Sequence, residues 1–215
     1  MPLIQFNVRG IKKTAFFSFI PKTGGTALIQ AFRNLGARIY LHEENNPVVG
    51  VLRCPSQHFE YKLSSSIIDI SAADHAFTIV RHPFERAKSD YKWGFRNVHK
   101  TNNIPYIDEW ITTMIRNYEN NPYIFDNHIR PQIEFIGEKI TNVYHYESGL
   151  DEILQNILTK MKLKPRKVPV TVPRKNIGTS VMSNFLDEQP KQKIIRARSI
   201  IEKFYEKDYE ILRYT

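Results

Sequence analysis

One stretch limits the fold more than any other: Phe16-Phe17-Ser18-Phe19-Ile20-Pro21-Lys22-Thr23-Gly24-Gly25-Thr26. Its first half is a short apolar run, the pattern of a strand buried on both faces. Pro21 cannot donate to a sheet ladder, so it ends the strand. Lys22, Thr23 and the Gly24-Gly25 pair then make a turn. Beyond Thr26, apolar residues recur at Leu28, Ala31, Phe32 and Leu35. That is helical spacing, and Gly36 is a natural stop. The stretch reads as strand, glycine turn, helix.

Such a junction can hold an anion. The first N–H groups of a helix lack intrahelical partners and carry the positive end of the dipole. Glycines let a phosphate approach the backbone, and Lys22, Thr23 and Thr26 add charge and hydroxyl donors. The plainer reading is an ordinary β–α turn, where Gly-Gly and Thr are common. The order differs from a P-loop, in which Lys follows the last glycine.

A second junction follows the same plan. Ala76 to Val80 is another buried-strand pattern, and Arg81 stands at its end. Pro83 suits the first turn of a helix. Phe84, Ala87, Tyr91 and Phe95 form its apolar face, leaving Glu85 and Ser89, four apart, on another. An Arg at a strand end with a Ser in the second helical turn can grip one phosphate, by a bidentate fork and a hydroxyl. The alternative is a salt-bridged Arg and an exposed Ser.

Taken together, these residues resemble a known family. Ile20-Pro21-Lys22-Thr23-Gly24-Gly25-Thr26 is similar to the 5′-phosphosulfate loop of sulfotransferases that use 3′-phosphoadenosine 5′-phosphosulfate (PAPS). The likeness is greatest to the carbohydrate sulfotransferase branch, of which this would be a short soluble member. Ala27 stands where many members have Ser or Thr. Val80 to Tyr91 resembles the 3′-phosphate motif V-R-D-P-x-x-R-x-x-S-x-Y, with His82 where Asp is commoner. The resemblance implies that Lys22, Thr23, Gly24, Gly25 and Thr26 hold the 5′ side of PAPS, and that Arg81 and Ser89 hold its 3′-phosphate. Members place a catalytic His or Glu ahead of the second motif, which implies His58 or, as its rival, Glu60. An H-x-x-P-Q segment near the acceptor pocket implies substrate roles for His128, Arg130 and Gln132. A late basic loop that closes over the cofactor implies Arg174 and Lys175.

The 215 residues suit one large domain, residues 1–215, and 41% hydrophobic content supports a real core. A net charge of +9 attracts polyanions and nucleotides without naming one. Cys54 is alone, so no internal disulfide can form. Residues 1–13 read as a short basic lead-in with no signal peptide, and no run reaches the roughly 18 apolar residues of a membrane span. The expectation is a soluble, cytoplasmic protein.

Elsewhere, Ala37 to Leu41 and Val48 to Leu52 read as short extended pieces. Pro105 to Tyr118 reads as an amphipathic helix, and Asn142 to Glu147 as a strand. Ser148 is placed to cap a helix running to Met161. Lys160 to Lys175, punctuated by Pro165, Pro169 and Pro173, cannot be one helix. Pro190 to Leu212 reads as one long helix. Asp126 and His128 alone, without Cys, make a poor ligand set, so no metal is expected.

Strands alternating with helices predict an α/β fold, a parallel sheet flanked by helices. The resemblance makes it the P-loop-like sulfotransferase fold. The expected reaction is sulfuryl transfer from PAPS to the hydroxyl of a carbohydrate or small-molecule acceptor, with PAP as the other product. Two other classes compete. A kinase-like nucleotide-binding protein should show the G-K-[ST] order, which is missing. A basic polyanion or nucleic-acid binder should show a helix-turn-helix, zinc-finger or RNP-like signature, and none is present.

Overall fold

The computed structural model describes residues 1–8, 10–42, 52–98, 104–163, 171–173 and 180–215. Its centre is a five-stranded sheet in the order β3-β1-β2-β4-β5. The strands are β1 (Leu3–Val8), β2 (Ile11–Ser18), β3 (Arg38–Tyr40), β4 (His75–Val80) and β5 (Asn142–His145). β2, β4 and β5 run parallel, whereas β1 pairs antiparallel with both β2 and β3. The sheet is therefore mixed, and its parallel half carries both junctions.

The lead-in expected over residues 1–13 is in fact a hairpin. Val8 pairs with Ile11, and Gly10 takes φ 83° in the connection. Ile4 and Phe6 alternate inward along β1 and are buried. That period-two signal is short and lies beside a basic run, which hid it. β2 ends at Ser18, and its last four residues, Ala15 to Ser18, are buried as a central strand requires. Phe17 pairs with Phe77 on β4, and their rings stack 4.6 Å apart.

The helices are α1 (Gly25–Asn34), α2 (Tyr61–Ile67), α3 (Pro83–Gly94), α4 (Ile107–Asn120), α5 (Leu150–Lys160), α6 (Ser180–Asp187), α7 (Lys191–Phe204) and α8 (Glu206–Leu212). Leu28 and Phe32 of α1 and Ile153, Leu154 and Ile157 of α5 cover one sheet face with Phe17 and Phe77. Phe16 and Ala76 face the other way, against Phe59, Ile70 and Ile140. A helical layer forms beside the sheet, where Tyr91 of α3, Trp110 and Ile111 of α4 and Ala197 and Ile201 of α7 pack together.

Two helix boundaries differ from the sequence reading. α5 is capped by Gly149 at φ 91°, and Ser148 belongs to a 3-10 turn before it. The long C-terminal helix breaks at Tyr205, whose hydroxyl donates to the Ile129 carbonyl at 2.7 Å. The break lets Asp208 accept the backbone N–H groups of Gln132 and Ile133. Residues 48–51 and most of the proline-punctuated basic run, including Arg174 and Lys175, lie outside the described residues. Among the described residues no helix is long and apolar enough to cross a membrane.

Candidate active site

The first junction forms where β2 gives way to α1. Lys22 takes φ 68° and Gly24 φ 86°, both left-handed. For a lysine that conformation costs roughly 1–2 kcal/mol, strain of the kind held at functional turns. Thr23 is fully buried and donates its hydroxyl to the Ile20 carbonyl at 2.9 Å. Thr23 therefore closes the turn from inside and keeps only its backbone for a ligand. A Cβ on Gly25 would lie 2.4 Å from the Phe19 ring, so glycine is needed there. No side chain caps α1, which leaves its first amides to an anion.

The second junction lies beside it because β2 and β4 are parallel neighbours. Both loops leave the carboxyl ends of their strands, the edge where open α/β sheets bind ligands. The Arg81 guanidinium donates to the Lys22 carbonyl at 3.2 Å and lies 4.5 Å over the Tyr146 ring. Gln132 fixes its backbone. The Arg81 N–H donates to Gln132 Oε1 at 2.9 Å, and Gln132 Nε2 returns a bond to the Arg81 carbonyl at 2.8 Å. The neighbouring His82 N–H donates to Glu147 at 2.8 Å. Lys22, Thr26, Arg81 and Ser89 all line one cavity of about 350 Å³.

Three further side chains shape that cavity. Trp93, one helical turn past Ser89, lies 5.0 Å beneath Lys22 Nζ and 4.9 Å from the His128 ring. His128 Nδ1 bonds Asp90 at 2.6 Å, with both groups buried. The His58 ring sits 5.2 Å from His128 and 5.4 Å from Phe19. Asn127 links these walls, donating to the His58 carbonyl at 2.8 Å. It belongs to a left-handed run, Phe125 to Asn127, that turns the chain into His128. Arg86 then clasps the carbonyls of His128 and Arg130 at 3.0 and 2.9 Å.

The charges are tuned by this enclosure. Burial pulls Lys22 down to about 8, against the attraction of Asp90, with Arg96 and Arg81 adding to the depression. Burial alone would raise Asp90, but His128, Lys22 and Arg86 together hold its carboxyl below the ordinary value. His58 is driven well below its ordinary value by burial first and by His128 next.

The cavity thus brings together Lys22, Gly24, Gly25, Thr26, Arg81, Ser89, His58 and His128 of the residues expected from sequence. Glu60 is buried and is not among the cavity-lining residues. Arg130 and Gln132 are also not among the cavity-lining residues. Arg130 is spent on Asn127, Glu134 and the Pro122 carbonyl, and Gln132 on Arg81. Their donors are engaged by the fold. Sequence reasoning passed over Asp90, Trp93 and Tyr146. Trp93 was legible, since it stands four residues after Ser89 on a helix. Asp90 was not, because nothing local announces its distant partner. Among the described residues no group of three or more His, Cys, Asp or Glu is placed to hold a metal ion.

No curated protein and no solved structure matches the chain. A family model described as the sulfotransferase family matches residues 11–215, which takes in β2, both junctions and every residue of the cavity. The chain belongs to the sulfotransferase family.

Proposed function

We propose that this sulfotransferase takes its sulfuryl group from PAPS and passes it to an acceptor hydroxyl, giving PAP and a sulfate ester. The observation that carries the reading is the pairing of two anion-binding junctions on adjacent parallel strands in one cavity. PAPS has anionic groups at its 5′ and 3′ ends, and the donor set fits both. Lys22 and the uncapped amides of α1 suit the 5′-phosphosulfate. Arg81 and Ser89 suit the 3′-phosphate. PAPS supplies an activated sulfuryl group and a phosphate leaving group.

The chain's part is to bind, orient and balance charge. Lys22, with the loop amides, neutralises charge that builds on the 5′-phosphate oxygens. Tyr146 supports Arg81 from below, and Gln132 fixes where Arg81 leaves β4. An imidazole of the His58–His128 wall faces the acceptor. A carbohydrate acceptor is the choice favoured by the sequence resemblance.

Calorimetric titration with PAP, ADP and ATP–Mg²⁺ tests the reading. PAP should bind at least tenfold more tightly than ADP, and Arg81→Ala should erase that preference. Equal binding of PAP and ADP by the wild-type chain would remove the 3′-phosphate assignment and favour a kinase-like or general polyanion site.

A further inference from the structure

The last helix, α8, is packed beneath the strand ends that carry the site. Leu212 shares one buried cluster with Ile20 and Val80, the residues just before the first and second junctions. Asp208, four residues earlier, is fully buried. Its two carboxylate oxygens accept the Gln132 and Ile133 N–H groups at 2.9 and 3.1 Å. These amides open the 3-10 turn Gln132–Phe135, which has no side-chain cap of its own at Pro131. Asp208 therefore caps that turn from 76 residues away. The turn it caps carries the Gln132 amide that brackets the backbone of Arg81.

A second route leaves the same segment. Arg213 takes φ 58°, and the chain folds back so that the Tyr214 N–H donates to the Tyr209 carbonyl at 3.0 Å. The Tyr214 hydroxyl then donates to Glu147 Oε2 at 3.0 Å, while Glu147 Oε1 accepts the His82 N–H at 2.8 Å. The His82 ring lies 5.4 Å from Tyr209 and 5.5 Å from Tyr214. Glu147 also adjoins Tyr146, whose ring supports the Arg81 guanidinium. Both routes converge on successive residues of the second junction, Arg81 through Gln132 and His82 through Glu147.

We infer that Asp208 and Tyr214 are positioning residues for the 3′-phosphate: acting through Gln132 and Glu147, they set the direction in which Arg81 leaves β4. The inference rests on the PAPS reading above. Neither residue is among those lining the cavity, so neither touches the ligand. A guanidinium fork binds phosphate well only when its plane and reach are fixed. Loosening the backbone of Arg81 and His82 therefore costs affinity for that one anion. The first loop has its own closure, the bond from the Thr23 hydroxyl to the Ile20 carbonyl. The 5′ end of a nucleotide should accordingly be spared.

Calorimetric titration with PAP and with ADP tests this in Asp208→Asn and Tyr214→Phe, each made in the wild-type chain and in Arg81→Ala. Both substitutions keep the side chain's volume and leave Leu212 in place. Each should weaken PAP about threefold to tenfold, the worth of one lost hydrogen bond, and change ADP less than about twofold. In the Arg81→Ala background the same substitutions should change PAP binding less than about twofold, because the group they position is gone. A merely structural role would weaken both nucleotides together and would persist without Arg81. If Asp208→Asn does not fold, Tyr214→Phe, which loses only a hydroxyl, decides. Equal weakening of PAP and ADP, unchanged PAP affinity, or a loss that persists in Arg81→Ala would each overturn the inference while leaving the cofactor reading intact. A wild-type chain that does not prefer PAP to ADP overturns the 3′-phosphate assignment itself, and this inference falls with it.

Discussion

Lys22 combines a strained backbone with a depressed ammonium, and the two have separate consequences. Its carbonyl holds Arg81, while its ammonium lies over Trp93 and is drawn towards Asp90. Removing the side chain should therefore spare the fold. Lys22→Ala is expected to lower PAPS turnover by about 10²–10³ with an unchanged circular dichroism spectrum, the usual loss for one preorganised donor. Near-normal turnover would contradict the role given to Lys22. The ammonium also predicts proton linkage. With its value pulled down to about 8, Lys22 is largely neutral near pH 9 in the free chain. A bound phosphate favours the charged form, so PAP binding at that pH should take up a proton. Calorimetry in buffers of different ionisation heat measures it, and equal apparent heats after buffer correction to zero protons would refute it.

Between elements, the telling contact is Gln132, which joins the segment before β5 to the end of β4. Its amide bonds both backbone groups of Arg81, taking the place of a neighbouring strand. Gln132→Leu keeps the volume and removes both bonds. Stability should fall by about 1–3 kcal/mol for each backbone group left unpaired, and PAP affinity should fall as Arg81 loses its mooring. Urea midpoints and calorimetry read the two effects, and affinity that is unchanged would mean Arg81 is positioned by other means. The sequence resemblance singled out Gln132 as an acceptor residue, whereas the fold sets its amide against the Arg81 backbone. An H-x-x-P-Q string reveals its polar groups but not which way each one points. The two strand–helix junctions were legible because strand, turn and helix signals are local there. Helix α5 was legible from periodicity, while its cap was not, since Ser148 and Gly149 both satisfy cap statistics. The break at Tyr205 depends on a hydrogen bond to Ile129, 76 residues away, which no window of α7 contains.

For the whole molecule, acid should act through buried histidines. Burial lowers His75 from 6.5 to about 4, and His58 is also depressed. Both have folded values below their unfolded ones, so the unfolded chain binds more protons below about pH 6.5, and for His75 that window closes near pH 4. Stability is complete above that window and is lost as pH falls through it, by up to about 1.4 kcal/mol per pH unit for each group. Urea unfolding should show a lower midpoint at pH 5 than at pH 7, with part of the difference removed in His75→Gln. An equal pH difference in wild type and variant would exclude His75 as a source. The layered α/β architecture was legible in the alternation of strand and helix patterns. The antiparallel β1–β3 edge was not, because β1 offers only Ile4 and Phe6 as its signal.

The placement of Trp93 has one more consequence. The chain has two tryptophans, and they occupy opposite environments. Trp110 is 7% exposed within the helical layer, while Trp93 is 37% exposed at the cavity between Lys22 and His128. Indole emission responds to nearby charge and to solvent. The molecule therefore carries two built-in optical reporters, one reading occupancy of the cavity and one reading the integrity of the helices, separable by replacing either indole with phenylalanine.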